Sequence, residues 1–153
     1  MAGKLLEELK QTKPFESLET EAYLNVVKTA DVLHQRAATV LKESSLSETQ
    51  YNVLRILRGA GAAGLKCSEV GERMVTRDPD ITRLLDRLEK QQLIERHRSQ
   101  TDRRVVTTRI TAAGLRLIDD LDAPLKNALH AMFASLSPAQ LRDLIHALEA
   151  IRS

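Results

Sequence analysis

The sequence predicts a mainly α-helical fold with one small β-hairpin. Apolar residues recur every three or four positions over most of the chain, and helix-capping residues precede several of these stretches. One run of β-branched residues, at 105–110, interrupts the helical pattern. The chain has 153 residues, 42% of them hydrophobic and 29% charged, with 6 Gly and 4 Pro. Length and composition therefore indicate a single folded domain over residues 1–153.

The first two predicted helices differ in length. The first covers residues 16–41, where apolar side chains recur mostly at intervals of three or four. The second begins after Ser47, because Ser47 can cap it and Gln50 stands where a capping box needs a glutamine. We expect this helix to end at a group of glycines. They are Gly59, Gly61 and Gly64.

Two shorter helices are predicted next. One covers residues 65–75, and the other starts at Asp78, since Pro79 would then hold the first helical position, where its missing N–H costs nothing. Apolar residues at offsets 0, 3, 4 and 7 form the inner face of this second helix. They are Ile81, Leu84, Leu85 and Leu88. The residues expected to face outward are Asp80, Thr82, Arg83, Asp86, Arg87 and Lys90.

A β-hairpin and two more helices complete the chain. The strands are predicted at 93–98 and 105–110, and the tip at 99–104 has no apolar residue to anchor it. Thr111 is expected to cap the next helix, in which Pro124 is a candidate for a kink. The last helix should start at Ser137, followed by Pro138 and a capping-box glutamine.

This order of elements predicts a winged helix-turn-helix with helical dimerisation flanks. The DNA-binding lobe is expected at residues 47–110, and the flanks at 16–43 and 111–152. In such a lobe the second helix of the pair enters the major groove and presents its first residues to base edges. Asp80, Thr82 and Arg83 are therefore predicted to contact the bases of double-stranded DNA.

The charges are uneven along the chain, although the formal net charge is only +2. Between residues 66 and 109 there are 11 Lys or Arg against 8 Asp or Glu, a net of +3. The segment from Arg96 to Arg104 holds four arginines and one aspartate. A basic hairpin tip suits contact with phosphates, while a solvated charged loop would explain the charge equally well.

Individual basic side chains can be given separate roles. Arg103 and Arg104, at the tip, are predicted to enter the minor groove, where a narrow A·T-rich sequence attracts arginine. Arg96 and Arg98, on the preceding strand, are predicted to contact phosphates. Two alternatives stay open for Arg87, which either contacts DNA or pairs with Asp86, with neighbours of Lys90 or with the wing.

The flanking helices carry more apolar surface than one small winged domain can cover. Burial against a second copy of the chain would cover it and would produce a homodimer. A twofold dimer would present its two recognition helices one DNA turn apart, or a multiple of that distance. The sequence therefore predicts a pseudo-palindromic operator.

Taken together, these residues resemble the multiple-antibiotic-resistance regulator (MarR) family. The densest similarity lies at 81–89, 93–96, 102–104 and 110–111 with Gly114. The resemblance implies DNA recognition by Thr82 and Arg83, a phosphate contact for Arg96, a minor-groove contact for Arg104, and a wing-orienting role for Asp102. It also implies dimerisation through the first and last helices, and repression that a small-molecule effector or oxidation relieves. The chain departs from the family pattern at residues 78–80 and at 66–67.

Two effector hypotheses follow from individual residues. His34, Tyr23 and Arg36 could line a pocket for an aromatic acid, or they could form an ordinary polar helix face; aromatic residues make up only 3% of the chain. Cys67 stands near a predicted helix start, where a thiol can become reactive. The alternative is that Cys67 is a small hydrophobic residue of the core.

Other classes of protein fit the sequence less well. No apolar run approaches membrane-spanning length and no secretory signal opens the chain, so a cytoplasmic protein is expected. One cysteine and four scattered histidines predict neither a disulfide nor a metal site. With no phosphate loop or nucleophile elbow, we expect no cofactor and no enzyme activity. A protein-interaction module that has lost DNA binding is the main rival, but such a module should lack the wing arginines.

Overall fold

The computed structural model describes residues 3–153. The chain divides into two compact units, one ending at Arg36 and the other beginning at Ala37. The first unit contains α1 (Lys4–Glu8) and most of α2 (Leu18–Leu41). The Ser17 hydroxyl accepts the N–H of Thr20 at 3.1 Å, so α2 starts slightly later than the predicted position 16.

The second unit combines five helices with a small antiparallel sheet among the residues that the structure describes. After a 3₁₀ turn at Lys42–Ser44 it contains α3 (Glu48–Ala60), a 3₁₀ turn at Gly61–Ala63, β1 (Leu65–Lys66), α4 (Cys67–Arg73), α5 (Ile81–Lys90), β2 (Ile94–Arg98), β3 (Val106–Ile110), α6 (Ala112–Met132) and α7 (Pro138–Ile151). The strand order is β1-β3-β2, with β3 in the middle. The predicted fold class, mainly helical with a β-hairpin wing, is confirmed.

Three predicted helix starts are confirmed by their capping hydrogen bonds. Ser47 Oγ accepts the N–H of Gln50 at 3.2 Å, and the Gln50 side chain accepts the N–H of Ser47 at 3.0 Å. Ser137 forms the same capping box at the start of α7. Thr111 Oγ1 accepts the N–H of Gly114 at 3.1 Å and starts α6. Pro124 lies inside α6, and a kink there stays a prediction.

The prediction of one continuous helix over 65–75 is wrong at its start, because Leu65 and Lys66 form a strand. Leu65 pairs with Thr108, and Lys66 pairs with Thr107. This pairing brings the backbones so close that a β-carbon on Gly64 would lie 2.6 Å from the Thr108 carbonyl oxygen. Gly64 also has a φ of +67°, which glycine adopts without strain.

The helix α3 ends within the predicted group of glycines. Gly59 lies within α3, and a β-carbon there would meet nothing within 4 Å. The helix ends at Ala60, and Gly61 follows it with a φ of +65°. The positive φ at Gly61, which glycine adopts without strain, marks the end of the helix.

The start of α5 also differs from the prediction, because Asp80 rather than Asp78 is the N-cap. Asp80 Oδ1 accepts the N–H of Arg83 at 3.1 Å. Asp78 Oδ1 instead accepts the N–H of Asp80 at 2.8 Å, which closes a turn around Pro79. The turn delays the helix by two residues, and α5 begins at Ile81.

The hydrophobic core of the second unit gathers the inner faces of its helices and sheet. Leu84, Leu85 and Leu88 are all buried there, as the spacing on α5 predicted. The other buried members are Leu41, Leu46, Val53, Leu54, Leu57, Leu65, Val70, Ile94, Ile118 and Leu121. Because one side of α5 is buried in this core, its polar side faces solvent.

The helix α6 is positioned by contacts at its start and near its middle. Thr111 donates its N–H to the Leu93 carbonyl at 3.0 Å and its hydroxyl to the Gln92 carbonyl at 2.8 Å. Two to three helical turns further on, Arg58 of α3 donates to Asp119 at 2.8 Å and to both carboxylate oxygens of Asp122 at 2.8 and 3.1 Å. These contacts attach α6 to the rest of the second unit. No helix within residues 3–153 is both long and apolar enough to cross a membrane.

Candidate nucleic-acid interface

The exposed face of α5 carries most of the predicted base-contacting residues. Thr82, Arg83 and Arg87 are exposed there, as the offsets predicted. A groove of about 630 Å³ follows this face. The residues lining it are Arg83, Asp86, Arg87, Glu89 and Lys90. The face thus presents three cations and two carboxylates to whatever approaches α5.

A second groove joins the start of α5 to the start of α3. It has a volume of about 320 Å³. Its lining residues are Ser47, Thr49, Gln50, Asp78, Asp80, Arg83, Leu84 and Arg87. Arg83 and Arg87 line both grooves, so they stand between the N-terminus of α3 and the outer face of α5. Two arginines and two aspartates line this groove, so its charged side chains balance, and the N-terminus of α3 adds the partial positive charge of a helix start.

Asp80 has a structural role that the sequence analysis did not assign to it. Its carboxylate accepts the Arg83 backbone N–H and thereby starts α5, whereas it was predicted only as a base-contacting residue. Asp80 still lies at the exposed N-terminal end of the helix. Its contact with a base stays a prediction.

Arg96 lies in β2 and points its guanidinium at α5. Its Nε donates to Glu89 Oε2 at 3.1 Å, and its Nη2 contacts both Asp86 Oδ1 and Glu89 Oε2, the latter at 2.9 Å. The Arg96 side chain is only 23% exposed. The hydrogen bond to Asp86 is the main cause that raises the pKa of Arg96. Asp86 therefore pairs with Arg96 and not with Arg87, which makes no ion pair among residues 3–153.

The tip of the hairpin is shaped by hydrogen bonds to Asp102 and Ser99. Asp102 Oδ1 accepts the N–H of Arg104 at 2.9 Å, and the Asp102 carbonyl accepts the N–H of Val105 at 3.0 Å. Ser99 Oγ accepts the N–H groups of Thr101 and Asp102 at 3.2 and 3.3 Å. With its backbone held in this way, the tip presents exposed side chains at Arg103 and Arg104.

Arg98 closes β2 at the base of this tip. It is exposed and pairs with Val106 in the strand register. Within the part of the chain that the structure describes, no carboxylate lies within ion-pair distance of Arg98. Arg98 and Arg96 therefore share a strand but differ in surroundings: one is exposed to solvent, and the other is held by two carboxylates.

Two tertiary contacts of α3 were not predicted from the sequence. Asn52 Oδ1, on α3, accepts the N–H of Val75 at 2.9 Å and so attaches the segment between α4 and α5. Arg58 and its partners Asp119 and Asp122 connect α3 to α6. The partners are 23, 61 and 64 residues apart, and no local pattern links residues so distant in sequence.

The effector candidates lie on α4 and on α2. Cys67 is the first residue of α4 and is partly buried against the hydrophobic core, which agrees with a packing role. The start of α4 is capped by Glu69, whose carboxylate accepts the Lys66 N–H at 2.7 Å. On α2, Tyr23, His34 and Arg36 are exposed. The involvement of these side chains in effector binding stays a prediction.

Comparison with known proteins places these features in a family. The model of the MarR family matches residues 46–106, from the residue before Ser47 to the first residue of β3. A solved MarR transcription factor from Planctomyces limnophilus is 36% identical, with 89% of this chain and 98% of that chain covered and a TM-score of 0.69. The chain belongs to the MarR family.

Other MarR-related proteins agree with this assignment. The HTH-type transcriptional repressor IacR of Pseudomonas putida is 27% identical over 117 residues, which cover 76% of this chain and 69% of IacR. The structure of the S. aureus MepR–DNA complex is 21% identical and has a TM-score of 0.75, with 85% of this chain and 94% of that chain covered. At that identity MepR shows the fold alone. As a MarR-family member the chain is a DNA-binding transcription regulator and not an enzyme.

Proposed function

We propose that this MarR-family chain is a homodimeric repressor that binds a pseudo-palindromic operator in double-stranded DNA. The observation that carries the proposal is the exposed pair Arg83 and Arg87, which lines both grooves at the start of α5. A recognition helix contacts base edges through its first residues, and arginine can bond two acceptors of guanine at once. We therefore assign base contacts to Thr82 and Arg83, and a base or phosphate contact to Arg87.

The wing supplies the second set of DNA contacts in this proposal. Arg103 and Arg104 are exposed at a tip whose backbone Asp102 holds in shape. Such a tip can insert arginine into the minor groove beside the major-groove helix. Arg98, exposed at the base of the tip, is assigned to a phosphate. The DNA-binding lobe is then residues 47–110.

Dimerisation is assigned to residues 16–43 and 111–152. In the first unit α2 exposes large apolar side chains, at Leu18, Tyr23, Val26 and Val27. In the second unit α7 has no buried residue at all. Large apolar side chains exposed on α6 and α7 are Leu129, Leu144, Ile145 and Ile151. A second copy of the chain would remove this apolar surface from water, which is favourable.

Repression and its relief complete the proposal. IacR, a relative 27% identical over 117 residues, is named a repressor, and a dimer bound at a promoter could exclude other proteins from it. A small-molecule effector would release the DNA by binding the DNA-free conformation more tightly. The effector is assigned no residues beyond the candidates on α2.

The test is a fluorescence-anisotropy titration of DNA from upstream of the protein's own gene. Arg83→Ala and Arg104→Ala should each weaken specific binding by about 1–3 kcal/mol, and the affinity should fall with salt. Lys13→Ala removes an exposed cation outside both the lobe and the flanks; it is the control and should bind as the wild type does. Wild-type affinity no greater than for random DNA, or indifference to both lobe substitutions, would refute the proposed function.

A further inference from the structure

In the proposed function α5 is the recognition helix, and it carries two carboxylates on the face that would contact DNA. Asp86 and Glu89 line the groove along α5 together with Arg83, Arg87 and Lys90. DNA is a dense array of negative phosphates, so uncompensated carboxylates on this face would repel it. Taken alone, the five side chains leave the groove with a net charge of only +1.

Both carboxylates are engaged by one guanidinium from the neighbouring strand. Arg96 donates Nε to Glu89 at 3.1 Å, and its Nη2 reaches both Asp86 and Glu89. Asp86 and Glu89 are 56% and 43% exposed, whereas Arg96 is only 23% exposed. The Arg96 side chain is therefore more buried than the two carboxylates that it binds, and the carboxylates are the groups more exposed to solvent.

We propose that Arg96 is a positioning residue that neutralises Asp86 and Glu89 on the DNA-facing side of α5 and fixes the wing strand to the recognition helix. It does this in place of the phosphate contact that the sequence suggested. The inference rests on the proposed function, since the masked charge affects affinity only if DNA lies against α5.

The chemistry of the side chain supports this role. A guanidinium presents several N–H groups in a planar fork and can therefore bond two carboxylates at once, which the single ammonium of lysine does less well. With Nε and Nη2 donating to acids, Arg96 keeps only the two N–H groups of Nη1 for any other partner. Counting Arg96 with the groove raises its net charge to +2, so one residue doubles the positive charge that DNA meets.

A double-mutant cycle distinguishes the two roles of Arg96. Arg96→Met is made in the wild type and in the Asp86→Asn/Glu89→Gln background, and operator affinity is measured by anisotropy at one salt concentration. We expect Arg96→Met to weaken binding about tenfold in the wild type, because it exposes two unpaired acids. In the neutral background the same substitution should change affinity less than about twofold.

Arg98→Met is the matched control, since Arg98 lies on the same strand without an acidic partner among the described residues. A residue that contacts a phosphate should lose the same operator affinity in the wild type and in the Asp86→Asn/Glu89→Gln background when it is replaced, and we expect this result for Arg98. Arg96→Lys keeps the charge but not the fork, so it should fall between wild type and Arg96→Met. Far-UV circular dichroism is the control measurement that checks whether each variant is folded.

Two results would overturn the inference, and they are distinguishable. Equal losses from Arg96→Met in both backgrounds, with wild-type operator binding intact, would show a direct phosphate contact and leave the proposed function standing. If the wild type fails to bind the operator, the proposed function fails as well. A small loss from Arg96→Met in the wild-type background would also refute the inference, because unmasked acids on the face of α5 must weaken binding to phosphates.

Discussion

Gly114→Ala is predicted to destabilise the folded chain although it replaces glycine by the best helix former. Gly114 is buried in the first turn of α6, where a β-carbon would overlap the carbonyl oxygen of Leu93 and lie 2.8 Å from Ile110 Cγ1. The Leu93 oxygen is held in place because it accepts the Thr111 N–H at 3.0 Å. The added methyl group therefore meets backbone rather than the flexible end of a side chain.

The expected magnitude follows from two opposing effects. Inserting a methyl group into a packed site costs about 1–3 kcal/mol, and a clash with fixed backbone belongs at the upper end of that range. Alanine regains about 0.5–1 kcal/mol over glycine in a helix. The free energy of unfolding should fall by about 2 kcal/mol, or about 4–8 °C in Tm for a chain of this length.

The assay is urea unfolding followed by far-UV circular dichroism at one protein concentration, since the stability of a dimer depends on concentration. Gly59→Ala is the control, because Gly59 lies in α3 with nothing within 4 Å of an added β-carbon. It should gain about 0.5–1 kcal/mol from helix propensity alone. The reasoning is refuted if Gly114→Ala is as stable as the wild type while Gly59→Ala gains stability as expected.

Three further predictions concern acid stability, the segment before α5, and assembly. The hydrogen bond from Arg58 lowers the pKa of Asp122 below its ordinary 3.8, so its contribution is present above that pH and is lost as pH falls through the lowered pKa. Because the Asp122 side chain is 49% exposed, Arg58→Met should lower the free energy of unfolding by only about 1 kcal/mol at neutral pH, and this difference should vanish in acid. If the free energies of unfolding of wild type and variant, measured in urea, differ by the same amount at every pH, the prediction is contradicted. Asn52→Ala should cost about 1 kcal/mol and speed hydrogen exchange at the Val75 amide, and unchanged exchange there would count against the contact. Ile145→Glu should shift the proposed dimer toward monomer in sedimentation velocity, whereas Val75→Glu should not, because Val75 is 87% exposed but lies outside the flanks. An association unaffected by Ile145→Glu would contradict the assignment of the interface to the flanks.

Structural features that depend on residues close together in the chain were predicted correctly from the sequence. The caps at Ser47, Thr111 and Ser137 each involve residues three positions apart, so the chemistry that forms them is written in the local sequence. The buried face of α5 likewise follows from helix geometry, since residues at offsets of three and four share one side. These local rules were enough for the fold class and for the exposure of Arg83.

Features that depend on a distant partner were decided only by the tertiary structure. Leu65 and Lys66 form a strand because β3 lies beside them, and two residues carry no periodicity of their own. Asp78 and Asp80 are both good caps, and the turn around Pro79 decided between them.

The candidate site shows the same division between local and distant information. The sequence by itself determined which arginines stand on the helix and the wing, because charge and spacing are local properties. It did not determine that Arg96 turns to Asp86 and Glu89, because this choice depends on how closely β2 packs against α5. The strength of an ion pair is set by separation and solvent exposure, and both are properties of packed elements rather than of the chain that forms them.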